Sequence, residues 1–290
     1  MDSRLRGNDV VEGFVVSDRR MKKTRYVAPS RNTVAAQVFA RMPLAAWCEH
    51  AGLIEAREWP TIDALNAARS DGMRERFVAQ TRELLADGLH YEQRIAEHGA
   101  IATRERNWHD LFNALVWLRH AALKRALNAR QVAGIACMGL KQRSRAQCAL
   151  THFDEAGVVV ALRDLSLLPL WDAHDWHGLF WRERDAWMDG RIHVEVFGHA
   201  LLEHALTPTQ LLVGKALVVV GPWVSPPEAI ASCAQAVADG DALRDPLDLR
   251  PLPLAGVPGW HPGNAREAFL RETACFRPVR AGRSYPRPLT

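Results

Sequence analysis

No stretch of the 290-residue sequence is long and apolar enough to read as a membrane-spanning helix. The longest apolar run, Leu211 to Val224, is interrupted by Lys215 and by Gly221-Pro222. It falls short of the roughly 20 residues that a bilayer core demands. Cysteine is scarce and scattered. Cys48, Cys137, Cys148, Cys233 and Cys275 are odd in number and form no CxxC pair, which argues against a disulfide framework and a zinc–thiolate cluster. The N-terminus shows no continuous apolar core followed by a small-residue cleavage site, so no secretory leader is read and a cytoplasmic location is expected. Glycine (19) and proline (16) are close to average, which excludes collagen-like and low-complexity classes.

A charge surplus is also missing from most of the chain. The formal net charge is +4, yet residues 1–35 alone hold eight Lys/Arg against four acids, and the rest balances. Duplex binders carry a basic stripe on the folded body, so nucleic acid is not an expected partner. The common catalytic signatures are absent as well: no GxGxxG follows a strand, and there is no GxxxxGK[ST], GxSxG or HExxH. Nucleotide, flavin and serine-hydrolase chemistry therefore has no support from motifs.

What remains is an ordinary globular composition, 48% hydrophobic and 24% charged. Residues 1–35 read as a disordered basic arm. Residues 1–20 look like a translated intergenic repeat rather than evolved protein, with Met21 a more plausible start. Residues 36–290 read as a single α+β domain, helix-rich with a small sheet and an irregular, Pro-rich tail from about residue 246. Helical patterns are expected over Ala35–Ala51, from the Thr61 N-cap to Ala68, and over Leu89–His98 with Gly99 as the stop. The longest is expected from the Asn107 N-cap to about Arg130. Arg143–Phe153 reads as the first arm of a hairpin, turning through Asp154-Glu155-Ala156-Gly157 into a strand at Val158–Leu162. A Trp- and Phe-rich helix over Asp175–Asp189 precedes Arg191–Phe197, where Ile192, Val194 and Val196 alternate with His193, Glu195 and Phe197, a half-buried strand. Gly198 breaks it, His199–Leu206 is helical, Ala216–Val220 is a strand, and Pro226-Pro227 open a last helix to about Asp239.

Along the long helix the sequence becomes recognisable. Thr103–Trp117 (TRERNWHDLFNALVW), with Lys124 and Asn128 after it, resembles the signature of the bacterial domain of unknown function 3025 family. Tyr91-Glu92, Arg94, Ala149-Leu150-Thr151, Phe153-Asp154-Glu155 with Gly157, and Phe197-Gly198-His199-Ala200 with Glu203 carry the same resemblance. So do Pro251-Leu252-Pro253 with Gly256, Pro258-Gly259-Trp260 and Phe276-Arg277-Pro278. The resemblance implies a soluble bacterial protein and brings no activity with it, so the chemistry must come from the residues.

Two constellations stand out. The first is the strand-to-helix corner, where His193 and Glu195 share a strand face and His199 and Glu203 share a helix face one turn apart. HALLEH is one residue too long for an HxxEH zinc motif, because i,i+5 leaves its two histidines about 140° apart. A surface reading, with His199 paired to Glu203, competes here. The second is the stripe His109, Asn113, Trp117 and His120 on a helix whose other positions are mostly apolar. His109 lies in the first helical turn, where the dipole is expected to lower its pKa; a core histidine bonded to a carbonyl is the competing reading. Buried polar groups must find one another, so the corner is expected to face the start of the Asn107 helix. The candidate catalytic residues are then His109, Asn113, His199 and Glu203, with Asn113 orienting His109. Arg104, Glu195 and Trp117 are candidates for holding substrate. No spacing meets a known ligand rule; the candidates for a divalent metal are His109, His199 and Glu203. The function expected is a hydrolase- or lyase-type enzyme acting on a small, anionic metabolite. The alternative is a non-catalytic protein that binds a ligand or partner in a groove walled by Trp171, Trp176, Trp181 and Trp187.

Overall fold

The computed structural model describes residues 26–290. The architecture is α+β and helix-rich. Three short helices, α1 (Ala36–Phe39), α2 (Ala51–Ile54) and α3 (Ile62–Ala67), lead to a strand β1 (Arg76–Ala79). Helix α4 (Tyr91–His98) and strand β2 (Ala100–Thr103) follow, and β2 pairs with β1 in parallel. Three longer helices come next: α5 (Trp108–Arg119), α6 (Ala121–Met138) and α7 (Arg145–Ala156). The second half contains β3 (Gly157–Leu162), α8 (Leu168–Asp172), α9 (Arg184–Met188), β4 (Ile192–Val196), α10 (His199–Ala205), β5 (Val213–Val220), α11 (Pro226–Asp239), β6 (Arg250–Pro253) and α12 (Glu267–Glu272). Its sheet has the order β4-β3-β5-β6, with β3 and β5 parallel and both outer pairs antiparallel.

All six residues of β3 are buried, as a central strand covered on both faces requires. A continuous apolar core joins the sheet to α5, α7 and the N-terminal segments. Among the described residues no helix is long and apolar enough to cross a membrane.

Local chemistry explains where the elements begin and where expectation needs correcting. Asn107 accepts the Asp110 amide at 3.0 Å, the N-cap that opens α5. The single helix expected from Asn107 to Arg130 is two. It breaks at His120 (φ −125°, ψ 40°), which contains neither proline nor glycine. His120 instead turns its ring to Glu195 at 3.2 Å and stands edge-on to Trp47, so tertiary contacts set the break. The expected hairpin arm before β3 is helix α7. Ser144 and Gln147 form a reciprocal capping box, and Ala149, Leu150 and Phe153 are buried at helical spacing. Ala35–Ala51 is divided at Pro43, which cannot continue a helix.

The arm and the tail are also better anchored than expected. Tyr26 donates to the Glu203 carbonyl at 3.0 Å and stacks on His204. Arg31 lies over the rings of Trp59 and Trp108, whose indole donates to the Pro29 carbonyl. Residues 26–35 are thus pinned at Tyr26, Pro29 and Arg31, and the rest of the expected arm, including residues 1–20, lies outside the described residues. The C-terminal tail is irregular between its short elements, yet it supplies the edge strand β6 and the buried Leu252, Leu254, Val257 and Leu270.

Candidate active site at a three-helix junction

The geometry starts from Gly198. The amides of Phe197 and Gly198 both donate to the Gly157 carbonyl, at 3.0 and 2.8 Å. A Cβ on Gly198 would sit 2.5 Å from the backbone of Glu155, Ala156 and Gly157, so only glycine lets the two chains approach this closely. The end of α7 and the start of α10 are therefore clamped together, which sets Glu155 beside His199.

Helix α5 brings in the third partner, because it packs on α10. His109 Nδ1 donates to Glu203 Oε2 at 2.9 Å. On the other side of the ring, His109 Nε2 lies 3.0 Å from His199 Nε2, with the rings edge to face. Glu155 Oε2 closes the triangle at 3.5 Å from His199 Nε2 and 3.9 Å from His109 Nε2. The His199 side chain is 5% exposed and that of His109 30%, so the triangle opens to solvent on the His109 side. His199 Nδ1 is buried without a hydrogen bond in good geometry, 3.8 Å from Asp154 Oδ2.

A polar chain runs back from this triangle into the protein. Lys124, 4% exposed, donates to Asp154 Oδ1 at 2.6 Å and to Asn113 Oδ1 at 2.9 Å. Asn113 in turn donates to the Tyr91 hydroxyl at 2.9 Å. One helical turn further along α6, Asn128 donates to the Glu92 carboxylate at 2.6 Å.

Of the residues singled out in the sequence, His109, His199 and Glu203 meet. The other four do not join them. Asn113 is bonded to Tyr91 and Lys124, not to His109. Arg104 holds Asp110 with two side-chain nitrogens, at 3.0 and 2.6 Å, and Glu195 is taken by Arg119 and His120. Trp117 is 1% exposed, beneath Lys124. Glu203 pairs with His109 across the helix interface, not with His199 along its own helix. Glu155, Asp154 and Lys124 were missed as site residues. Reading the α7 end as a turn hid the two acids, and the Ser144–Gln147 capping box was the signal that places them at a helix terminus.

The electrostatics separate the members of the triangle. Burial opposes protonation of His109, but the Glu203 hydrogen bond and the charges of Glu155, Glu203 and Asp110 outweigh it and hold the ring above its usual pKa. The lowering expected from the helix start is thus overridden by carboxylates. Burial, then repulsion from His109 and Lys124, pushes His199 well below the usual imidazole value. Burial lifts Glu155 to about 7 against the attraction of His109.

No curated protein and no solved structure matches the chain. A family model does, across residues 75–280, a span that holds every residue of the triangle and of the polar chain behind it. The chain belongs to the family described as protein of unknown function DUF3025.

Proposed function

We propose that the chain is an enzyme of the hydrolase or lyase type, acting on a small polar metabolite where His109, His199 and Glu155 meet. The observation that carries this reading is the convergence of three titratable side chains, their facing atoms within 3.9 Å of one another at one opening. Enclosing titratable groups together opposes folding, and such clusters concentrate at functional sites. Adding water across a polar bond, or eliminating a group from one, needs donors and acceptors of this kind side by side. Arg104, with its fork on Asp110, steadies the start of α5 rather than holding an anion. The tryptophan groove of the alternative reading has little wall to offer, since Trp171 and Trp176 are buried.

The test is a turnover screen of wild type and His199→Ala against small esters, amides and phosphoesters, and against hydration and elimination of small acids. Turnover that falls by a factor of about 10²–10⁴ in His199→Ala, the usual contribution of a positioned acid–base group, with the melting temperature retained, is the expected result. No turnover in any class, or turnover indifferent to the substitution, would overturn the reading.

A further inference from the structure

We propose that the triangle is a binding site for one divalent first-row transition-metal ion, with His109 Nε2, His199 Nε2 and Glu155 Oε2 as its protein ligands. The inference rests on the reading of this triangle as the reacting centre. Its first support is metric. A triangle with sides of 3.0, 3.5 and 3.9 Å has a circumscribed circle of radius about 2.0 Å, the bond length of zinc to imidazole nitrogen and carboxylate oxygen. One ion can therefore touch all three atoms with no movement of the backbone.

The second support is the surroundings of the rings. A ligating histidine that presents Nε2 to a metal turns Nδ1 to a carboxylate or carbonyl, which fixes its tautomer and orientation. His109 does this through Glu203 at 2.9 Å. The buried Nδ1 of His199 makes no hydrogen bond and lies 3.8 Å from Asp154 Oδ2, a carboxylate itself fixed by Lys124. Both imidazoles thus present Nε2 to the triangle, with a carboxylate bonded behind His109 and another near the far side of His199. Without an ion, two imidazole nitrogens and a carboxylate oxygen face one another within 3.9 Å.

Two nitrogens and one oxygen favour the zinc, iron or manganese class over calcium and magnesium, which take all-oxygen sets. Three protein ligands leave a coordination position for water or substrate, the arrangement of catalytic rather than structural sites. The side of the triangle open to solvent is that of His109. Glu203 is then a positioning residue, and Asn113 and Tyr91 steady Lys124 from further back.

The experiment uses the full chain, stripped with chelator and titrated with zinc, then with cobalt(II). One equivalent of zinc is expected, with a visible cobalt(II) spectrum of a four- or five-coordinate centre. His109→Ala, His199→Ala and Glu155→Gln should each weaken zinc binding at least 100-fold. Glu203→Gln should weaken it 10- to 100-fold, and His193→Ala, on the exposed face of β4, should change nothing. Less than 0.2 equivalents of zinc on folded wild type, an octahedral aquo-cobalt spectrum, or affinity unmoved by Glu155→Gln and His199→Ala would each overturn the proposal. Turnover by fully stripped protein would overturn the metal while leaving the proposed enzyme intact. Stoichiometric zinc with no turnover in any substrate class would do the reverse.

Discussion

Asn113 shows how one amide can hold two networks together. Its oxygen accepts from Lys124 and its nitrogen donates to Tyr91, so it joins α4 to α6 through α5. Asn113→Leu should therefore destabilise the protein despite its greater hydrophobicity, by about 1–3 kcal/mol, because two buried partners lose a hydrogen bond. Urea unfolding checks this; an unchanged or raised midpoint would show that the amide is dispensable. Nearby, Glu92 predicts a pH effect. Part of its surface is accessible, but its carboxyl is enclosed and accepts from Asn128. Burial raises it to about 7; Asn128 opposes that, Asp154 adds to it, and Lys124 and Arg143 oppose it. Since the folded pKa lies above the unfolded value, the folded state keeps its proton longer. The contribution of Glu92 to stability is intact below about pH 4.5 and is lost as pH rises to about 7. Roughly 2 to 3 kcal/mol is at stake over that window. Glu92→Gln should remove this decline, so the variant's stability relative to wild type should grow by that amount between pH 5 and pH 8. Parallel pH profiles would exclude it.

At the scale of elements, the corner between β4 and α10 was legible because alternation stops at a glycine, and Gly198 does mark the close approach. Gly198→Ala should cost about 2 kcal/mol or more, since the new methyl meets backbone that cannot step aside. It should also push α10 away from α7; a variant of wild-type stability would mean that the clamp gives way easily. Other elements were less readable. The α5–α6 break leaves no proline or glycine in the sequence because it is imposed by Glu195 and Trp47 from distant segments. The position of His109 and His199 relative to each other could be anticipated, because few polar groups on apolar helices have anywhere else to go. Glu195 could not be excluded the same way, since its partners Arg119 and His120 belong to a helix turn that only the break creates. The acids of α7 required the helix to be recognised first.

Across the whole molecule, the ends of the described chain act as fasteners. Leu289 bridges to Val219, accepting from the Val220 amide and donating to the Val218 carbonyl at 2.8 Å each. Tyr285 lies under Arg250 and bonds His174, while Arg250 donates to the Pro286 carbonyl. Removing residues 282–290 should lower the melting temperature by roughly 5 °C, the shift that about 2 kcal/mol produces in a chain of this size. A shift under one degree would show that the sheet edge is held without them. The triangle itself is assembled on the same long-range principle. His109 and His199 stand 90 residues apart, and Glu155 comes from a third helix between them. Loop-closure entropy must be overcome before such contacts form, and no local fragment holds even two of the three groups. A partly folded chain, whatever helices it has gained, therefore possesses no centre at all. Assembly of the triangle is thus a mark of complete folding and not of any one helix.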